Sequence, residues 1–418
     1  MKNLKKTLVL LMAGGKGERL DPLTKHRTKP AVPFGGIYRI IDFTLSNAIN
    51  SGFRKIIVLV QYKCNSLNRH LRDGWNILSS ALGEYVESIP PQQRVKDTWY
   101  LGTADSVYQN LYSIEKENPA YVIILAGDHV YKMDYSQMLS YHIEKQADVT
   151  VGAVEMPVEL ASHYGIIGID ENQRIIKFQE KPTEKPFTVP GNASHCLASM
   201  GIYIFSTPVL YESLDRDTNN QSSTHDFGRD VIPSLIGDYP PHLGGGKKKV
   251  YAYPFIDEYT KEPKYWRDVG TIDSYYRANM DLVAITPVFN LYDTIWPIRT
   301  YQVQTPPPKF VFSEETPGGR MGVALDSMVC HGCIISGGRV QHSIISPNVR
   351  VNSYSHVDQS ILFEGVEVGR YAKIKRAIID KEVKIPSGME IGYNLEEDRK
   401  KFTVSEDGIV VISKGEVL

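Results

Sequence analysis

The sequence predicts an α/β domain with a Rossmann-like, mixed but mostly parallel sheet, followed by a left-handed parallel β-helix. In the first half of the chain, continuous apolar runs of strand length alternate with stretches of helical spacing. This pattern is typical of a parallel sheet that is covered on both faces. In the last quarter, helical periodicity is scarce and Ile or Val recurs about every six residues, as in the short strands of a β-helix.

The central strands of the first domain are predicted from three apolar runs, at residues 8–12, 56–60 and 122–125. Each run ends in glycine or polar residues. In a parallel sheet these residues lie at the carboxyl ends of the strands, where ligands bind. They are therefore the first candidates for a functional site.

The β-helix is predicted from a periodicity that runs from Ile345 to Ile391. A five-residue step from Ile374 to Ile379 breaks the period, and an irregular β-sandwich remains the alternative. About four coils are expected between residues 325 and 392.

Two turn-rich segments separate these regions, at residues 305–308 and 316–319. The predicted division is a catalytic domain at 1–290, a linker at 291–320 and a β-helix at 321–418.

Composition excludes several classes of protein. The 418 residues carry 47 Lys and Arg against 48 Asp and Glu, so the net charge is −1 and no nucleic-acid partner is expected. No apolar run approaches the roughly 18 residues of a membrane span, so no membrane partner is expected. Four cysteines do not make a disulfide framework, which favours a reducing cytoplasm.

A glycine loop with two cations follows the first predicted strand. It reads LMAGGKGERL over residues 11–20 and matches neither the Walker A pattern nor the dinucleotide fingerprint. Gly14 and Gly15 let backbone N–H groups approach an anion, and Lys16 and Arg19 supply positive charge. The loop therefore suits phosphate groups, although a tight turn without a ligand is the alternative.

Seven sequence blocks carry a family resemblance. They are residues 13–20 with Lys29 and Pro30, then 34–43, 99–105, 126–129, 178–182, 199–203 and 265–271. Together they resemble the bacterial ADP-glucose pyrophosphorylases, a family of sugar-1-phosphate nucleotidylyltransferases. The resemblance covers the first two thirds of the chain, and the β-helix pattern follows where that family has its second domain.

The resemblance implies that ATP and glucose 1-phosphate give ADP-glucose and pyrophosphate, for glycogen synthesis. The sugar phosphate attacks the α-phosphorus in line and is already an anion, so alignment and charge neutralisation should carry catalysis. The implied catalytic residues are Lys16, Arg19, Asp128 and Asp268, and the two aspartates are implied to hold Mg²⁺. From the residues alone, Asp128 is equally a helix N-cap and Asp268 a turn residue.

The resemblance also assigns substrate-binding residues. The ATP set is Gly14, Gly15, Gln61, Trp99, Tyr100, Gly102 and Thr103. The glucose 1-phosphate set is Gly165, Glu180, Lys181 and Ser199. The alternatives are a core aromatic pair for Trp99 and Tyr100, and a surface lysine in a turn for Lys181.

Regulation is predicted from departures from the family pattern. His26 stands where a lysine is common, and Val404 where an arginine is common. We expect His26, Arg27, Arg39 and Arg399 to form an anion site between the domains. Anionic metabolites should therefore act as effectors, and weakly at neutral pH because His26 is then mostly neutral.

Three other functions remain open: a uridylyl- or thymidylyltransferase, a non-catalytic regulatory subunit, and an acyltransferase that uses the β-helix. The expected assembly is a homotetramer.

Overall fold

The computed structural model describes residues 2–92, 99–237, 248–257 and 259–418. The strands of the first domain are β1 Thr7–Ala13, β2 Pro33–Phe34, β3 Tyr38–Arg39, β4 Lys55–Val60, β5 Tyr85–Ile89, β6 Tyr121–Ala126, β7 His129–Tyr131, β8 Val149–Pro157, β9 Gly165–Ile169, β10 Ile175–Glu180, β11 His195–Ser206, β12 Val250–Pro254 and β13 Trp266–Asp268. Its helices are α1 Lys2–Lys5, α2 Ile40–Asn50, α3 Asn65–Gly74, α4 Thr103–Tyr108, α5 Leu111–Glu117, α6 Tyr135–Glu144, α7 Thr207–Thr218, α8 Ile232–Ile236 and α9 Ile272–Met280.

The main sheet of this domain is mixed, as predicted. Strand β1 lies in the middle and pairs in parallel with β4 and β6, while β11 runs antiparallel to β6. Along β1, Val9 and Leu11 are buried in one apolar cluster, and Leu8 and Leu10 in the cluster of the opposite face. Burial on both faces explains why the strand reads as a continuous apolar run.

The second domain is a parallel β-helix, and the β-sandwich alternative is wrong. Its strands are β14 Lys309–Val311, β15 Val323–Leu325, β16 Met328–Val329, β17 Ile334–Ser336, β18 Arg339–Gln341, β19 Ile344–Ile345, β20 Arg350–Val351, β21 His356–Asp358, β22 Ile361–Leu362, β23 Glu367–Val368, β24 Lys373–Lys375, β25 Ala377–Ile379, β26 Lys384–Ile385, β27 Glu390–Ile391, β28 Thr403–Val404 and β29 Val410–Ile412. Successive coils stack as three parallel ladders, and helix α10 (Leu395–Arg399) precedes the last strands. The left-handed sense of the coil stays a prediction.

The five-residue step in the sequence is a regular corner of this β-helix. From β18 to β27, paired residues of neighbouring coils are 17 positions apart, so one side of each of these coils is a residue shorter than a strict six-residue repeat requires. At this corner His342, Gln359 and Arg376 take positive φ angles of 44°, 46° and 48°. The left-handed conformation turns the chain sharply at the same place in each coil.

The predicted linker at residues 291–320 is partly wrong. Strand β14 lies inside it and pairs with β17, so the β-helix begins before residue 321. The earlier part of the segment docks on α2, where Thr300 Oγ1 donates to Asp42 Oδ2 at 2.7 Å and Trp296 Nε1 donates to Asn47 Oδ1 at 2.8 Å. The proline-rich composition of this segment marked the boundary between the two domains, but it did not reveal these anchoring contacts.

The two domains share an apolar core and one buried ion pair. Leu20 and Phe34 of the first domain are in the same buried cluster as Ile361 of the β-helix. Beside it, Arg27 Nη2 donates to both carboxylate oxygens of Asp380, at 2.9 and 3.0 Å. Both side chains are almost completely buried, at 6% and 1% exposure, so the ion pair belongs to the interior of the domain interface.

Candidate active site

The carboxyl ends of three neighbouring strands form one edge of the site, as predicted. The glycine loop follows β1, Gln61 follows β4, and Asp128 follows β6 after one glycine. These three strands are adjacent in the order β6–β1–β4. Residues from three distant parts of the sequence therefore meet at a single edge of the sheet.

A two-stranded ribbon brings Asp268 to the same place. Strand β13 pairs antiparallel with β7, and the register sets Asp268 opposite His129. The ligand atoms of Asp128, His129 and Asp268 lie within 4.8 Å of one another. Both aspartates therefore face each other across a short gap, and neither is only a cap or turn residue.

Almost all of the predicted catalytic and substrate residues line one cavity of about 860 Å³. Those lining it are Gly14, Gly15, Lys16, Arg19, Gln61, Tyr100, Gly102, Thr103, Asp128, Gly165, Glu180, Lys181, Ser199 and Asp268. Trp99 is the exception among the predicted residues. It is 56% exposed and stacks on Tyr62, which does line the cavity, with ring centroids 5.1 Å apart. The predicted alternative of a core aromatic pair is therefore wrong for Trp99.

The sequence analysis gave no role to Lys29, yet its ammonium group lies at the centre of the carboxylate cluster. Lys29 Nζ is 2.8 Å from Asp128 Oδ2 and 3.0 Å from Asp268 Oδ1. The lysine side chain is only 8% exposed. Its place in a run of cations before Pro30 was visible in the sequence, but a distance to the aspartates was not.

This cluster shifts the pKa values of its members. Burial alone would lower the pKa of Lys29, but the charges of Asp128 and Asp268 outweigh it and raise that pKa above its ordinary value. Burial would raise the pKa of Asp128, yet Lys29 and then His129 hold it below its usual range. Lys29 and Asp128 are therefore both charged at neutral pH.

The donor set fits a magnesium ion. Two carboxylates provide the hard oxygen ligands that Mg²⁺ prefers, and substrate phosphates usually complete its coordination. Nδ1 of His129 is buried without a hydrogen-bond partner, and Nε2 is 3.5 Å from Asp128 Oδ1. Asp128, His129 and Asp268 are, among the described residues, the one group of three side chains whose potential metal-ligand atoms lie so close together. Cys330 and Cys333 do not belong to such a group.

The loop on the nucleotide side is held by the Gln61 side chain. Gln61 Oε1 accepts from the Tyr100 backbone N–H at 3.0 Å, and the Tyr100 hydroxyl accepts from Asn110 Nδ2 at 2.9 Å. The Gln61 side-chain amide, predicted to bind ATP, is thus engaged with its own protein. Its visible role is to fix the loop before α4 against the end of β4.

Gly102 and Thr103 lock this loop to the segment before α8. A Cβ atom on Gly102 would lie 2.2 Å from the His225 carbonyl oxygen, so only glycine fits. That carbonyl accepts from the Ala104 N–H at 2.8 Å, and Thr103 Oγ1 donates to Asp226 Oδ2 at 3.0 Å. Asp226 is a positioning residue that the sequence analysis did not assign.

The residues predicted to bind glucose 1-phosphate lie at the opposite end of the cavity. A Cβ atom on Gly165 would lie 2.5 Å from the Phe178 ring and 3.0 Å from Glu180 Oε2. Burial, and next the nearby Asp226 carboxylate, raise the pKa of Glu180 despite the opposing charge of Lys181. Lys181 Nζ is 3.6 Å from Glu180 Oε1 and the lysine is 53% exposed, so its amine is free to reach an anion in the cavity.

The four predicted regulatory residues do not form one cluster. Arg27 is paired with Asp380, although its buried Nη1 has no partner. Arg39 Nη1 donates to the Ser66 backbone oxygen at 2.9 Å. Arg399 instead lines a separate cleft of about 430 Å³ between the domains, which His26, Arg27 and Arg39 do not line. The four residues therefore do not line one cleft, and the anion site that they were expected to form stays a prediction.

The separate cleft is rich in positive charge. Lys25, Arg399, Lys400 and Lys401 line it together with Asp21 and Glu416. The sequence analysis gave no role to Lys25. Its proximity to the end of the β-helix depends on how the two domains pack, which a pattern along the chain does not give.

Comparison with known proteins agrees with this architecture. The nucleotidyl transferase family model matches residues 8–284, and a GlmU-like C-terminal hexapeptide model matches residues 306–412. Fold and site together thus define a nucleotidyl transferase that carries a hexapeptide β-helix.

Several curated relatives are similar over nearly the full length of the chain, and each is described as glucose-1-phosphate adenylyltransferase. The Koribacter versatilis protein is 53% identical over 98% of this chain and 95% of its own length. The Rhodopirellula baltica protein is 52% identical over 99% and 91%, and the Anaeromyxobacter sp. protein 51% identical over 98% of both. The chain belongs to the glucose-1-phosphate adenylyltransferase family.

Proposed function

We propose that the protein transfers the adenylyl group of ATP to glucose 1-phosphate and releases ADP-glucose and pyrophosphate. The main support is one cavity that is lined by a cation-bearing glycine loop, two facing carboxylates and a lysine beside a half-buried glutamate. Such a cavity has room for both substrates at once, which direct transfer between them requires.

In this reaction ATP binds at one end of the cavity and glucose 1-phosphate at the other. Lys16 and Arg19 neutralise the phosphates of ATP, and the loop of Gln61 and Tyr100 receives the adenine. Lys181 binds the phosphate of the sugar, and Glu180 accepts hydrogen bonds from glucose hydroxyls. The attacking oxygen is already ionised, so these residues orient the reactants rather than remove a proton.

Asp128 and Asp268 are the residues that would hold Mg²⁺. When bound, the ion would add positive charge beside the reacting phosphates and so would stabilise the negative charge that develops on the leaving pyrophosphate in the transition state. The aspartates fix its place at the strand ends, between the two halves of the cavity.

Nucleotide choice is tested by measuring product formation with glucose 1-phosphate and ATP, UTP or dTTP at equal concentrations. We expect ATP to give the highest kcat/KM by at least about tenfold, which is about 1.4 kcal/mol of transition-state discrimination. Equal or faster turnover with UTP or dTTP would make the protein a different sugar-1-phosphate nucleotidylyltransferase. No turnover with any nucleotide would favour the regulatory-subunit alternative.

We further propose that an anionic metabolite regulates the enzyme. Supporting this are the four cations of the cleft near Arg399 and the unpartnered Nη1 of Arg27 at the domain interface. Phosphate groups prefer such clustered cations. Adding sugar bisphosphates to the turnover assay measures the response directly.

The assembly and the location remain proposals. A homotetramer is supported by an exposed apolar segment, in which Ile285, Val288 and Ile295 are 91%, 84% and 91% exposed. A reducing cytoplasm is supported by the four unpaired cysteines. No helix among the described residues is long and apolar enough to cross a membrane.

A further inference from the structure

Two hydrogen bonds and a short turn of the backbone hold Lys29 in the gap between the carboxylates of Asp128 and Asp268. Its Nζ donates to Asp128 Oδ2 at 2.8 Å and to Asp268 Oδ1 at 3.0 Å. The lysine begins a short 3₁₀ turn, Lys29–Ala31, whose Pro30 fixes the backbone, and the side chain is 8% exposed. The ammonium group thus has little freedom to leave while the carboxylates stay charged.

The charges explain why a cation is needed at this point. Two carboxylates whose oxygens lie within 4.8 Å repel each other strongly in a partly dry cleft. A single ammonium between them removes most of this repulsion. A divalent cation in the same gap would remove it too, but the two cations cannot share the gap without repelling each other.

We propose that Lys29 is a built-in counter-ion that occupies the place of the divalent cation until nucleotide binds. The arriving nucleotide phosphates offer Lys29 a new anionic partner in the same cavity. Lys29 then moves from the carboxylates to the phosphates, and the divalent cation takes its place. This inference rests on the proposed function, because it takes Asp128 and Asp268 as the metal-holding pair.

Two consequences follow for the protein without nucleotide. A divalent cation alone binds weakly, because it must first displace an ion-paired lysine. The metal-free protein is stable, because the lysine already compensates the carboxylates. Removing the lysine charge reverses both properties.

The test measures free Mn²⁺ by electron paramagnetic resonance, without nucleotide, for the wild type and Lys29→Met. We expect the variant to bind Mn²⁺ at least about tenfold more tightly, since no ion pair has to be broken. Without metal, its Tm should be lower than that of the wild type, and Mn²⁺ should restore it. Lys29→Gln serves if Lys29→Met does not fold. Lys132→Met is the matched control, because Lys132 is also ion-paired, with Nζ 2.9 Å from Asp293 Oδ2, but lies outside the cavity; it should bind Mn²⁺ like the wild type.

Three outcomes decide between this inference and the assignment of the metal site. Unchanged or weaker Mn²⁺ binding in Lys29→Met overturns the counter-ion role, even if Asp128 is a ligand. If binding tightens but adding Asp128→Asn to Lys29→Met leaves it tight, the ion sits elsewhere, and both the metal site and this inference are wrong. Tight binding that disappears with Asp128→Asn supports both.

Discussion

Individual residues of the site differ in how far the sequence could predict them. Asp128 and Asp268 could be predicted, because each lies in a motif that resembles a known family and Asp128 also follows a predicted strand. The contact of Lys29 with both could not, since its partners are 99 and 239 positions away in the chain. The Gln61 amide was expected to bind ATP, but its nearest partner is the Tyr100 backbone, a contact that depends on the folded loop.

Lys181 gives the residue-scale prediction. Lys181→Ala should raise the KM for glucose 1-phosphate by about tenfold or more and change kcat less, because a charge-assisted contact to the ground-state phosphate is lost. Initial rates at varied sugar phosphate measure this. The control is Lys185→Ala, an exposed lysine of the same loop, which should behave like the wild type. A selective rise in the KM for ATP would move Lys181 to the nucleotide end of the cavity.

At the scale of elements, the β-helix was predicted from its six-residue period. The five-residue step that interrupts this period is a regular feature of the structure, the short corner of the coil. Three successive short corners use a serine that the hydrophobic pattern ignores: Ser327, Ser343 and Ser360. Ser360 Oγ donates to the Asp358 carbonyl at 2.7 Å and accepts from the Ala377 N–H at 3.2 Å. The Ser360 N–H in turn donates to Ser343 Oγ at 3.0 Å, so the serines link successive coils. Periodicity records buried apolar positions and therefore misses such polar ladders.

Ser360→Ala tests this ladder. The change leaves the buried N–H of Ala377 without a partner, and we expect the free energy of unfolding to fall by about 1–3 kcal/mol. Urea denaturation measures the loss. Ser327→Ala removes a similar hydroxyl near the open end of the ladder, where water can replace it, and should cost less. Equal losses at both positions would show that the buried ladder has no special importance.

At the scale of the whole molecule, the sequence predicted two domains, but it did not predict how they pack against each other. Arg27 was expected to bind an effector, whereas it forms a buried ion pair with Asp380, 353 positions away. The domain interface also buries apolar residues of both domains in one cluster. Neither feature follows from local patterns, because both depend on docking two folded units. The cleft that contains Lys25 and Arg399 has the same origin.

The buried pair gives the prediction for the whole molecule. Asp380→Leu should lower the free energy of unfolding by about 3–5 kcal/mol, because it leaves a buried guanidinium uncompensated. Adding Arg27→Met should recover most of this loss, since two apolar side chains replace the pair. Thermal and denaturant unfolding of both variants measure the recovery. A double variant no more stable than Asp380→Leu would show that the pair contributes favourably in itself.

The most direct measurement of the central claim is the turnover of Asp128→Asn with Mg²⁺, ATP and glucose 1-phosphate. The account predicts that kcat falls by about 100-fold or more while the Tm shows a folded protein, because a charge at the phosphoryl-transfer centre is lost. Asp134→Asn is the control: Asp134 caps α6 outside the cavity, an asparagine also caps, and turnover should stay near the wild-type value. Normal turnover by Asp128→Asn would contradict the account, since the two facing carboxylates would then not be the centre of the reaction.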